Sequence, residues 1–285
     1  MASKENLPEK TNILGLFDPI AKLLPNISLN IAHLTGQKSL PAVSATKGID
    51  LSGQQILMFL MGAGQTGKTT FARWIGERSL FYDTGHPPVL LSVDPINRDL
   101  ETFFGEGKVS APPPGADAKT WFERVLTALE GTGRSSIVDF GGGDKIVLEL
   151  AQEIPNLHVS LETSGFAPIA MYHFTPRVTD LDLAAALEMQ GFRPKATGLV
   201  LNCGRAANPQ DFEQLRNHPD YRALIARGAI ELWMPRHFAA AEIENRRTTF
   251  FSPTGLSHRD TMRNETWMDL MENSFVKPIE SWIPR

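Results

Sequence analysis

A chain of 285 residues, 42% hydrophobic and 21% charged, with a net charge of −4, has the make-up of an ordinary globular protein. That balance excludes a global basic field able to draw nucleic acid or anionic membrane onto the protein. One cysteine, Cys203, excludes an intrachain disulfide and suits a reducing compartment. The longest apolar run, residues 56–61, is too short to cross a bilayer, and residues 1–10 are too polar and acidic for a secretory leader. The expectation is a cytoplasmic protein with no transmembrane segment.

Residues 1–52 differ in texture from the rest of the chain. They carry Pro8, Pro19, Pro25 and Pro41, and one apolar stretch at residues 13–31. Within it Leu14, Phe17, Ile20, Leu23 and Leu24 fall at roughly helical spacing, with Pro19 and Pro25 limiting any helix. They are expected to form a partly ordered N-terminal extension: a surface-wrapping arm, or a peptide that docks on a protein partner or membrane.

From residue 53 to 285 the chain reads as one nucleotide-binding domain of alternating strands and helices. Residues 55–61 form an apolar run that predicts a strand buried on both faces. A glycine-rich turn comes next, then a helix over 69–80 and a second strand over 88–93. Pro112-Pro113-Pro114-Gly115 breaks the chain before an amphipathic helix over 117–130. A third strand at 136–139 ends in Phe140-Gly141-Gly142-Gly143, succeeded by a helix over 144–153 and a strand-like run at 157–162. A strand at 170–174, a helix over 181–190, and strands at 197–201 and 229–234 complete the pattern. Such alternation predicts an α/β fold: a mainly parallel sheet with helices on both faces, in three layers.

The segment Gly62-Ala63-Gly64-Gln65-Thr66-Gly67-Lys68-Thr69, followed by Thr70, satisfies the phosphate-binding P-loop pattern. Its glycines let the backbone turn so that successive N–H groups face phosphate oxygens. The helix beginning there adds the positive end of its dipole. Lys68 supplies a charge to the β- and γ-phosphates, and the Thr69 hydroxyl is a Mg²⁺ ligand. Position between an apolar strand and a helix is what this mechanism requires. The alternative is a glycine turn that happens to precede a lysine.

Ligands in open α/β sheets gather at the carboxyl ends of strands, where Asp94 and Asp139 both lie. Asp139, followed by Phe140 and three glycines, reads as a Walker B acid entering a loop able to sense a γ-phosphate by moving. Asp94, in Ser92-Val93-Asp94-Pro95, reads as an acid that positions water or joins the metal shell. Both could instead be ordinary turn-forming aspartates.

The order of these motifs resembles the ParA/MinD-like ATPases of the SIMIBI group of P-loop proteins, over most of residues 55–250. Ser92-Val93-Asp94 aligns with the family's Asp-x-Asp switch, and Val138-Asp139-Phe140-Gly141-Gly142 looks like its Walker B and second switch. Asn202, ending Leu199-Val200-Leu201-Asn202, looks like its adenine-reading asparagine. Trp233-Met234-Pro235 resembles the segment after which the chain passes the base, placing Pro235 at the cofactor. The resemblance implies an ATP- and Mg²⁺-binding switch with slow hydrolysis, an ATP-dependent homodimer, and a place in plasmid or chromosome partition or in DNA transfer. Two departures weaken the catalytic side: Ala63 stands where the family carries a lysine that reaches across the dimer, and Ser92 replaces the first acid. Arg98 and Arg134 are candidate substitutes.

Asn202 is followed by Cys203-Gly204-Arg205, lacking the lysine and aspartate of the guanine-reading Asn-Lys-x-Asp pattern, so adenine is favoured over guanine. Two other function classes remain open: an ATP-dependent small-molecule kinase or ligase on the same fold, and a module that holds nucleotide without hydrolysing it. DNA binding is left open. The seven histidines show no paired metal-ligand spacing, and no nucleophile motif supports a Ser-His-Asp enzyme.

Overall fold

A computed structural model describes residues 47–82, 85–94, 99–105, 107–143 and 145–284. The helical spacing expected at residues 13–31, and Arg98, lie outside them. The nucleotide-binding motifs all lie within the unit spanning residues 40–285.

Seven parallel strands form one sheet in the order β3-β2-β4-β1-β5-β6-β7. They are β1 (Gln55–Met61), β2 (Val89–Ser92), β3 (Val109–Ser110), β4 (Ser136–Asp139), β5 (Phe166–Phe174), β6 (Ala196–Asn202) and β7 (Ile230–Met234). The principal helices are α1 (Lys68–Phe81), α2 (Asp99–Phe104), α3 (Ala118–Leu129), α4 (Ile146–Glu153), α5 (Leu157–Thr163) and α6 (Asp182–Met189). Then come α7 (Glu213–Asn217), α8 (Pro219–Ala226), α9 (Ala240–Asn245) and α10 (His258–Leu270). The expected three-layer α/β sandwich is the architecture observed.

Strand alternation divides the core in two. Leu57, Phe59 and Met61 of β1 pack on one face with Phe122 of α3, Val147 of α4 and Leu187 of α6. Ile56, Met58 and Leu60 pack on the other with Phe71 and Trp74 of α1 and Trp267 of α10. A strand buried on both faces gains from being apolar at every position, which is why β1 reads as an unbroken run. Its neighbours, β4 on one side and β5 on the other, come later in sequence. The crevice beyond the carboxyl end of β1 is thus a switch point of the sheet, the usual ligand position in this architecture.

Local chemistry sets the helix starts. Asp117 caps α3 by accepting the Thr120 N–H at 2.7 Å, and Ser257 caps α10 by accepting that of Asp260. Residues 48–51, within the expected extension, bond to the C-terminal segment. Gly48 N–H donates to the Pro278 carbonyl at 2.8 Å, and the Trp282 indole donates to that of Ile49 at 2.8 Å.

One element differs in kind from the sequence expectation. Residues 157–162 are helical, not extended. Their apolar positions, Leu157, Val159 and Leu161, alternate as in a strand, but only Leu157 and Leu161, one helical turn apart, are buried, and Val159 is 51% exposed. Asn156, left-handed at φ 55°, turns the chain into this helix. The true strand β5 begins at Phe166, four residues before the expected start. Pro168 lies inside it, paired in register with Leu57, although proline cannot donate to a ladder.

Candidate functional site

The phosphate-binding segment joins β1 to α1, and its backbone is held both by its own side chains and from the turn after β6. Lys68 Nζ donates to the carbonyls of Gly62 at 3.0 Å and Ala63 at 2.9 Å. The Thr66 hydroxyl donates to Ala63 O at 2.9 Å. Arg205 Nε donates to Gln65 O at 2.9 Å, Asn202 Nδ2 to Thr66 O at 2.8 Å, and Phe71 N–H to Gly67 O at 3.0 Å. In a trans peptide the C=O and the next N–H point opposite ways. Drawing the Gln65 and Thr66 carbonyls toward the turn after β6 therefore aims the N–H groups of Thr66 and Gly67 away from it, the arrangement an anion requires.

Two glycines are sterically required. Gly62 has φ 135°, and a Cβ there would lie 2.4 Å from the His173 carbonyl of β5. Gly67 has φ 96°, and a Cβ there would lie 2.7 Å from Asn202 Nδ2 and 3.4 Å from Met234 Sδ. The loop is thus pressed against the ends of β5, β6 and β7. His173 is fully buried there, its centroid 5.8 Å from that of Phe71. Burial, and then the nearby Lys68 charge, push its imidazole down to about 3, so it is neutral.

Asp139 and Thr69 meet as expected, with Thr69 Oγ1 donating to Asp139 Oδ2 at 2.7 Å. The other carboxylate oxygen, Oδ1, is buried with no hydrogen-bond partner. Burial pushes the Asp139 carboxyl up to about 6, opposed by the Thr69 bond and the Lys68 charge. A hydroxyl paired with a buried carboxylate that has one orphaned oxygen is a hard, oxygen-only donor set, and it fits Mg²⁺. Thr69 and Asp139 would hold the ion, which when bound supplies charge neutralisation to phosphate oxygens.

Asp94 reaches the same place. A Cβ on Gly141 would lie 2.9 Å from the Asp94 carboxylate carbon, and one on Gly142 2.5 Å from Gly64 Cα. The loop after β4 thus rests between Asp94 and the phosphate loop. Gly64 and Gln65 are exposed, Ala63 and Thr70 partly buried.

Asn202 is engaged at both ends of its amide, since Oδ1 also accepts the Gly204 N–H at 2.8 Å. Its remaining amide hydrogen suits a purine N7, which adenine and guanine share. Reading adenine in particular would need the amide oxygen as well. Pro235 is buried, and its carbonyl accepts the Trp267 indole N–H at 3.0 Å, which fixes the chain leaving β7. Arg134 does not reach the site: its carbonyl accepts Gln55 Nε2 at 3.1 Å, at the amino end of β1, so it cannot stand in for the missing lysine within one chain. Arg246, of the adjacent basic pair Arg246-Arg247, is bonded to Glu242.

Sequence reasoning misses Arg205, His173 and the contact of Gly142 with Gly64. Only Arg205 has a local signal, a cation three residues after the strand-end asparagine.

The raised Asp139 carboxyl has a consequence for stability. A carboxyl higher in the fold than in the unfolded chain adds stability below its unfolded value, and that is lost as pH rises through about 6. The shift corresponds to roughly 3 kcal/mol. Asp139→Asn is therefore expected to melt above the wild type at pH 8 without Mg²⁺, with the gap closing toward pH 5. Thermal denaturation across that range checks it.

The fold and site define a P-loop-type α/β sandwich. No protein-family model matches the chain, and no curated protein is similar to it. Among solved structures it is similar to the MinD cell division protein of Aquifex aeolicus, at 16% identity and a TM-score of 0.44, over 77% of this chain and 98% of that one. It is also similar to the signal recognition particle receptor FtsY of Elizabethkingia anophelis, at 10% identity and a TM-score of 0.40, over 78% and 70% of the two chains. The cell division protein FtsY of Thermotoga maritima matches at 15% identity and a TM-score of 0.39, over 73% and 68%. Similarity at this level leaves function to the chain's own residues. No helix among the described residues is long and apolar enough to cross a membrane.

Proposed function

We propose that the protein is a nucleotide-operated switch that binds ATP with Mg²⁺ and hydrolyses it slowly. The observation that carries this reading is the seating of Gly142 against Gly64, beside the Thr69–Asp139 pair. In this reading a γ-phosphate held by the loop amides would meet this glycine, so a triphosphate and a diphosphate differ in whether the loop after β4 can stay. Its movement also releases Asp94 from Gly141, coupling the two acids. That is a two-state element biased directly by ligand, the physical content of a switch.

In this reading Lys68 leaves the Gly62 and Ala63 carbonyls to bind phosphate, Thr69 and Asp139 hold the metal, and Asp94 orients the attacking water. Ala63 and Ser92 remove two charges that would speed the chemistry, which favours slow turnover or an activating group from a partner. ATP over GTP rests on the residues after Asn202, which lack the guanine-reading lysine and aspartate; pairing of two copies and a role in partition or DNA transfer rest only on the motif resemblance.

Gly142→Ala tests the switch. Its Cβ would collide with the Gly64 backbone, holding the loop off the cradle in every state. The wild type is expected to change amide exchange at residues 140–143 on adding a non-hydrolysable ATP analogue with Mg²⁺. The variant is expected to bind the analogue but show the same exchange with and without it. A wild type whose exchange there ignores the analogue contradicts the reading.

One observation favours a second reading, an ATP-dependent small-molecule enzyme. A cavity of about 390 Å³ lies elsewhere, but one of about 300 Å³ opens beside Thr69 and Thr70, lined by Arg73, Asp99, Phe103 and Glu244. Phosphate release strongly dependent on an added small substrate supports that reading over the switch.

A further inference from the structure

The structure assigns Arg205 to the nucleoside half of the site, as a clamp across the gap through which the ligand's ribose and base leave the phosphate loop. This rests on the reading that the loop holds a nucleoside triphosphate. Arg205 belongs to no phosphate-binding motif. It ends the 3₁₀ turn Cys203–Arg205, which Asn202 opens by accepting the Gly204 N–H. From there its Nε crosses to the Gln65 carbonyl at 2.9 Å, tying the turn after β6 to the phosphate loop over 140 residues of sequence.

The direction of that bond places the side chain. Gln65 and Thr66 offer their carbonyls toward the β6 turn and so turn the next N–H groups away, into the cradle. Arg205 is therefore on the side of the loop opposite the phosphates. With Asn202 and Pro235 taken as base contacts, as the motif resemblance implies, the ligand leaves the cradle past Gly67, where an added Cβ would meet Asn202 and Met234, and its purine lies by the ends of β6 and β7. Arg205 bridges the two walls of that exit and is exposed there.

The guanidinium suits this position chemically. Its Nε is spent on Gln65, which fixes the orientation of the plane and leaves the terminal nitrogens to donate to ribose oxygens. A planar, weakly hydrated cation also stacks on a purine face. Its ligand class is a purine nucleotide: the phosphates lie on the other side of the loop, so inorganic polyphosphate held in the cradle does not reach it.

Calorimetric titration with MgATP and with magnesium tripolyphosphate, on the wild type, Arg205→Ala, Arg205→Lys and Lys68→Ala, tests the assignment. Arg205→Ala is expected to weaken ATP about fivefold, as for one planar cation contact at an exposed site, while tripolyphosphate stays within about twofold. Arg205→Lys, a charge without the plane, is expected to recover only part of the ATP loss. Equal weakening of both ligands makes Arg205 a brace of the loop alone and overturns the proposal, as does no change in either. If Lys68→Ala leaves both ligands bound as in the wild type, the phosphate site itself is wrong, and the proposal falls with it.

Discussion

Lys68→Ala is expected to weaken Mg-nucleotide binding by roughly two to three orders of magnitude. Truncating one partner of a buried, hydrogen-bonded charge pair costs about 2–5 kcal/mol, and each 1.4 kcal/mol is tenfold. Lys68 is 5% exposed at the first position of α1, and the Gly62 and Ala63 carbonyls it holds are those it must exchange for phosphate oxygens. Those bonds pre-position the ammonium, so little side-chain entropy remains to be lost on binding. Lys68→Met, which keeps an apolar stem in the buried position, separates charge from packing. Both variants are expected to lose binding alike while melting near the wild-type temperature. A methionine variant that binds ATP normally contradicts the role given to the charge.

The largest expected loss of stability lies one turn further along α1. Arg73 and Glu77 are both buried and bonded at 2.6 Å, Nε to Oε1. The guanidinium lies 3.8 Å from the Phe103 ring centroid and 4.2 Å from that of Phe250, and Nη2 donates to the Thr248 carbonyl. Glu77 Oε2 in turn accepts the Phe250 N–H at 2.6 Å. The pair therefore fastens residues 248–250 to the helix that begins in the phosphate loop. Arg73→Ala leaves a buried carboxylate without its counter-charge, at a cost of about 3–5 kcal/mol.

The pH dependence of that loss has a definite sign. Burial raises the Glu77 carboxyl above its ordinary value even though Arg73 acts to lower it. Without Arg73 it rises further. Such a group favours the fold while protonated and penalises it once pH passes its folded value. The Arg73→Ala deficit should be smallest in acid and grow toward neutrality, as read by urea denaturation between pH 5 and 8. A deficit independent of pH would leave only lost packing.

Much of this molecule is legible in its sequence because the relevant chemistry is local. The strand, loop and helix from Gln55 to Phe81 are contiguous, and the unbroken apolar run, the glycines and Lys68-Thr69 each have a requirement that neighbouring residues meet. Asp139 is readable because a buried strand ending in an acid and three glycines has few other uses. The start of β5 is not, because Pro168 argues against a central strand and only pairing on both sides outweighs it. Helix α5 reads as a strand because three alternating apolar residues fit two periods, and only burial decides between them.

The site's hidden half depends on contacts far apart in sequence. Arg205 meets Gln65 across 140 residues, Phe250 meets Glu77 across 173, and Gly142 meets Gly64 from a different strand end. Neither partner in such a pair carries a pattern of its own. Asn202 illustrates the point: the sequence reads it as a base contact, while its bonds to Thr66 and Gly204 make it a support of the phosphate loop.

Equilibrium dialysis of the folded protein against labelled ATP, with and without Mg²⁺, addresses the central claim most directly. Saturable binding of one ATP per chain, tightened by Mg²⁺ and displaced by unlabelled ATP, is the expected result. Retention no greater than that of an unrelated protein, with the chain folded by circular dichroism, contradicts it.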